Sequence, residues 1–102
     1  MQTIKFKLSL ILTQKDMNRL QFRDKEGEII ADVHGMKCYE AKRFINNIIN
    51  IAMTKFKLTI VHGYNHGTAI RDMIRQSYNN AHVRYIIPDQ QNQGITRIMS
   101  VA

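Results

Sequence analysis

Among its 102 residues the chain has one cysteine, one proline and no tryptophan, and it is short of acid: 8 Asp and Glu stand against 15 Lys and Arg. A single cysteine excludes an internal disulfide and points to a reducing, cytoplasmic location. No apolar run is long enough to span a bilayer. The first residues place charges among alternating apolar positions, which is not a signal-peptide core. The length allows one domain with a modest core, and a hydrophobic content of 44% argues against disorder over the whole chain. The acid deficit leaves a formal charge of +7. Such an excess implies a polyanionic partner, although charge alone does not separate a nucleic acid from an acidic protein surface.

What is present is organised around residues 58 to 71. The apolar, β-branched run Leu58-Thr59-Ile60-Val61 closes on His62-Gly63, a short polar loop Tyr64-Asn65-His66-Gly67 follows, and Thr68 opens a helical pattern. A strand, a tight turn and a helix start are expected. Free backbone N–H groups and the helix dipole favour an anion at such a place. Gly63 and Gly67 would let the backbone approach it, and Arg71 would add a full charge. The chain echoes this pattern earlier, where Ile29-Ile30-Ala31-Asp32-Val33 closes on His34-Gly35 before a second helical pattern. Ligands of α/β sheets bind at the carboxyl ends of parallel strands, so both histidines should face one crevice.

Taken in order, Ile4 to Leu10 alternates apolar and polar residues and reads as a half-buried strand, an edge protected by its lysines. Residues 13 to 27 read as either a short helix or an irregular arm. From Cys38 to about Lys55 the residues Ala41, Phe44, Ile45, Ile48, Ile49, Ala52 and Met53 recur at helical spacing, with Glu40 suited to the positive end of the dipole. A strand is expected at 57 to 61. The next helix carries Ile70, Met73, Ile74, Ser77 and Tyr78 on one face, with Arg71 and Arg75 together on another. Strands at 82 to 87, ended by Pro88, and at 95 to 101 complete the chain. The expected fold is α+β: a two-layer α/β sandwich in β-α-β-α-β-β order, its mixed four-stranded sheet covered on one face by both helices. Residues 1 to 27 form an N-terminal strand and arm, and 28 to 102 the domain proper.

On a strand, residues two apart share a face, so Asp32 can orient His34 or stabilise its charged form. His62 supplies a second imidazole. Two histidines beside an anion can divide general base and general acid roles in phosphodiester cleavage. RNA is the easier target because its 2′-hydroxyl is a built-in nucleophile. No metal and no cofactor is required, and a metal site of His34, His62 and His66 lacks paired cysteines or helical His-x-x-x-His spacing. The plainer reading makes Asp32 and His34 a polar strand end, His62 a turn residue, Cys38 a packed small hydrophobe, and Lys5, Lys7, Arg19 and Arg23 a solvated surface.

Asp32-Val33-His34-Gly35 with Tyr39-Glu40-Ala41, then Ile60-Val61-His62-Gly63 with a further glycine and Arg71, and a closing Asn92-Gln93-Gly94-Ile95-Thr96, resemble the Smr (small MutS-related) domain in its small, stand-alone bacterial form. The likeness spans about residues 28 to 101. It implies the same element order and nucleic-acid binding, of DNA or RNA, with nicking or cleavage in several members. It places the functional positions on Asp32, His34, His62 and Gly63; the reading of the residues themselves adds Gly35, Tyr64, Asn65, His66, Gly67, Thr68, Arg71 and Arg75 as the nucleic-acid or phosphate-binding set with Gly63. A non-catalytic module bound to RNA or the ribosome is the alternative, as a monomer or a weak homodimer through the N-terminal arm. The family loop commonly reads His-Gly-basic-Gly-x-Gly. This chain has Tyr64 and Asn65 at its third and fourth places, and a tyrosine there can stack on an unpaired base.

Overall fold

A computed structural model describes residues 4–23, 27–65 and 67–100. Its elements run α1 (Ile4–Ile11), α2 (Gln14–Met17), β1 (Leu20–Arg23), β2 (Glu28–Asp32), α3 (Cys38–Ala52), β3 (Phe56–Val61), α4 (Ala69–Asp72) with a π-helical continuation (Met73–Ser77), β4 (Val83–Pro88) and β5 (Ile95–Ser100). The strands form one mixed sheet in the order β1-β2-β3-β5-β4. Among the described residues β2 and β3 lie parallel as neighbours, and the other pairs are antiparallel.

The apolar stripe of α3 forms as its spacing requires, with Ala41, Phe44, Ile45, Ile48, Ile49 and Ala52 all buried. At its start the Lys37 backbone N–H donates to the Glu40 carboxylate at 3.0 Å, so the acidic residue at the positive helix end caps a free donor. The helix stops short of Lys55 because Met53 takes a left-handed φ of 48°. Cross-strand register stacks Ile29, Leu58 and Ile98 in one row and Ala31, Ile60 and Thr96 in the next, all on the same face of the sheet. These rows bury against α3 together with Leu8 of α1 and Ile74 of the π-helical turn. Each such isoleucine or leucine contributes about 1.5–3 kcal/mol by leaving water. The helices therefore share one layer, α3 touching both α1 and α4, and the result is an α+β two-layer sandwich.

The N-terminal region departs from expectation. Ile4 to Ile11 is a helix, not a strand, because the four-residue period of Ile4, Leu8 and Leu12 packs against the core, whereas the alternating set fails: Phe6 and Leu10 are exposed. Residues 13 to 27 supply both a short helix and a strand. Thr13 caps α2 by accepting the Asp16 N–H at 3.1 Å. β1 then pairs with β2, which makes the sheet five-stranded where four were expected. Leu8 and Leu20 belong to the same buried cluster as the rest of the molecule.

Candidate functional site

Because β2 and β3 run parallel and side by side, Asp32 pairs with Val61 and the two histidine-glycine turns leave the same edge of the sheet. The Val33 N–H donates to the Val61 carbonyl at 3.0 Å and carries the pairing one residue past β2. The chain then reverses. The Met36 N–H returns to the Val33 carbonyl at 3.1 Å, closing a turn with His34 and Gly35 at its centre. Gly35 has a φ of +81°, the left-handed value a type II turn needs at that position, so the glycine is accounted for by the turn itself.

Inside this turn the Asp32 carboxylate accepts from the His34 backbone N–H at 3.1 Å and from the ring Nδ1–H. Donation through Nδ1 leaves the lone pair of a neutral ring on Nε2, for which there is no hydrogen-bond partner among the described residues. The His34 side chain is 69% exposed. It stands at the rim of a cleft of about 610 Å³ lined by both histidine turns, the loop after β3, the start of α4 and the loop before β5.

His62 has the opposite surroundings. The residue is 5% exposed. Its Nδ1 lies 2.8 Å from the Gly63 carbonyl, which can only accept, so Nδ1 carries the proton. With the proton on Nδ1, the lone pair of the neutral ring falls on Nε2, 2.8 Å from the Thr96 hydroxyl, which donates to it while accepting from Arg75 Nε at 2.9 Å. The ring is held as one neutral tautomer with both nitrogens engaged. Burial is the chief cause of a lowered pKa; the Gly63 carbonyl opposes it, the charges of Arg75 and Arg71 reinforce it, and Asp72 opposes it. The expected division of labour between two imidazoles is thus not what the geometry offers: His34 has a nitrogen to give a substrate, and His62 does not.

The remaining predicted residues divide in the same way. Gly63, Tyr64, Asn65, Gly67 and Arg71 line the cleft with Gly35. His66 lies outside the described residues. Thr68 does not cap the helix: its hydroxyl donates to Asp72 Oδ2 at 2.9 Å. Arg71 donates through Nε to Asp72 Oδ1 at 3.2 Å and through a terminal nitrogen to Gln93 Oε1 at 3.4 Å. The Thr68 bond, followed by Arg71, holds the Asp72 carboxyl below its ordinary pKa, so the carboxylate stays charged beside the arginine. Arg75 does not join Arg71 at the cleft. It turns to β5, donating to Thr96 and to the Ile95 carbonyl at 3.0 Å. Its position in the wide π-helical turn, rather than a regular α-turn, accompanies that change of direction.

Two contributors were not assigned from sequence. Arg19 is not merely solvated surface: its guanidinium donates to the carbonyls of Asp32 and His34 at 3.2 and 3.4 Å, while its own carbonyl accepts the Asp32 N–H at 2.9 Å. The region before β2 thereby clamps the turn that presents the Asp32–His34 pair. Gly94 accepts from both the His62 and Gly63 N–H groups, at 2.9 and 3.1 Å. A Cβ there would sit 3.2 Å from the Gly63 Cα and 3.4 Å from the Tyr64 ring, a tight fit that would press the two loops apart by a few tenths of an ångström. The nearest sequence signal was the glycine closing a polar loop just before the last strand.

Among the described residues no three His, Cys, Asp or Glu side chains converge as metal ligands, and no helix is long and apolar enough to cross a membrane. No protein-family model matches the sequence, and no curated protein matches it at a significant level.

Proposed function

We propose that this chain is a nucleic-acid-binding domain of the Smr type whose Asp32–His34 pair cleaves RNA. The observation that carries the reading is the exposed His34 ring, oriented through Nδ1 by a carboxylate and with Nε2 unengaged among the described residues, at the rim of a cleft in a domain of charge +7. In this reading Nε2 takes the proton of a ribose 2′-hydroxyl. The 2′-oxygen attacks the adjacent phosphorus, the bond from phosphorus to the 5′-oxygen breaks, and the imidazolium returns its proton to that oxygen. The products are a 2′,3′-cyclic phosphate and a 5′-hydroxyl. A positioned general base contributes about 10²–10⁴-fold. Arg71 supplies positive charge for the phosphate, and His62 acts at one remove by pinning the loop after β3 to β5. The single cysteine and the nucleic-acid partner together favour a cytoplasmic setting.

A binding module without catalysis is the second reading, favoured by the engagement of both His62 nitrogens. Incubating the protein with end-labelled single-stranded RNA and with duplex DNA, with and without chelator and across pH, decides between them. Cleavage of RNA to cyclic-phosphate ends, indifferent to chelator, is expected. Intact RNA at every pH despite salt-sensitive binding would leave the binding module, and no binding at low salt would remove both readings.

A further inference from the structure

Resting on that reading, we infer that the cleft takes one unpaired base of a nucleic-acid strand, stacked on Tyr64, so that the site selects single strands over duplex. Tyr64 is 44% exposed although it lines the cleft, and one ring edge rests against Gly94, 3.4 Å from where a Cβ on that glycine would stand. Gly94 lies against Gly63, and a Cβ on Gly63 would in turn come within 3.8 Å of the His34 Cβ. Gly94 and Gly63 thus lie between the Tyr64 ring edge and the His34 Cβ, and the Asn92 side chain borders Gly94 as well.

The walls suit a flat body with apolar faces and polar edges. Met36, Ile70 and Ile95 line the cleft with Tyr64, and the polar residues Asn65, Asn92 and Arg71 belong to the same lining. A base has that character, and every base offers a π-face to an aromatic ring. A volume of about 610 Å³ accommodates a nucleotide. Bases within a duplex are stacked and paired, so a base reaches such a cleft only from a single strand or after being flipped out, which costs unstacking energy. The excess of cations over acids, +7 for the chain, makes a polyanionic strand a better occupant than a neutral aromatic metabolite.

The test uses the whole protein and short oligodeoxynucleotides carrying 5-iodouracil, which crosslinks on irradiation to an aromatic ring stacked against it. DNA is chosen because it lacks the 2′-hydroxyl, so binding is read independently of cleavage. Crosslinks mapped by mass spectrometry should fall on Tyr64 with the single strand and be lost with the duplex. Tyr64→Ala should weaken single-strand affinity by about 5- to 150-fold, corresponding to the ~1–3 kcal/mol of one aromatic–base stack, with little change for duplex. Tyr64→Phe should keep both affinity and crosslink, and its retained binding separates loss of stacking from loss of fold. Crosslinks confined to the exposed Tyr39 or Tyr85, or equal affinity for the two forms that Tyr64→Ala leaves unchanged, would overturn the inference while the nucleic-acid reading stands. Failure to bind either form at low salt would overturn both.

Discussion

His34 and His62 look like twins in the chain, each following an apolar run and preceding a glycine, and the fold treats them as opposites. His34 stands in a surface turn, 69% of its side chain exposed, with one nitrogen on Asp32. His62 is 5% exposed and joined at both nitrogens to Gly63 and Thr96. The difference comes from what lies beyond each strand end. β2 is flanked on its outer side by the short β1, which leaves the Asp32 side open apart from the Arg19 clamp, whereas β3 is flanked by β5, whose Thr96 hydroxyl engages the ring while the Gly94 carbonyl just before it holds the His62 and Gly63 backbone. A histidine beside a glycine is left exposed or is enclosed according to its neighbour in the sheet.

That contrast fixes the order of expected effects. His34→Ala should lower RNA cleavage by about 10²–10⁴-fold with melting temperature nearly unchanged, read by gel assay and calorimetry. Equal cleavage by the variant would end the case for a reactive His34. His62→Ala should act on the fold first. It leaves the Gly63 carbonyl and the Thr96 hydroxyl each short of a partner, and a loss of about 1–3 kcal/mol in denaturant unfolding is expected. If that variant instead kept full stability and lost only cleavage, the two histidines would be functional equals after all.

Arg71→Ala sharpens the comparison from the ligand side. Affinity for any nucleic-acid sequence should weaken, and the slope of log affinity against log salt should fall by about one unit in titrations at several ionic strengths. A smaller effect tests the burial of His62 directly. Its folded pKa lies below the 6.5 of an unfolded histidine. The unfolded chain therefore takes up the proton first on acidification. The stability from the neutral ring is complete above that value and is lost as pH falls through the lowered folded pKa. Denaturant midpoints measured on either side of pH 6.5 should differ in this sense, and the corresponding slope should diminish in His62→Ala.

Local periodicity by itself determined most of the architecture. The stripe from Ala41 to Ala52, the apolar runs of β2 and β3 and the alternation of Ile95 to Ser100 each specify an element whose buried face is written into its own spacing, and crossover handedness then places the helices in one layer. The Asp32–His34 pair was legible from its two-residue spacing, but not for the reason of a shared strand face: β2 ends at Asp32, and the two groups meet in the turn beyond it. Contacts over long sequence separations were left to the tertiary structure. Ile4 to Ile11 satisfies both a two-residue and a four-residue period, and only the core that receives Leu8 chooses the helix. Arg19 meets the His34 turn and Arg75 meets Thr96 across intervals that no spacing rule covers. The burial of His62 depends likewise on β5 pairing beside β3, thirty-four residues along the chain at Thr96, and so the local sequence could mark the turn but could not decide what closes over it.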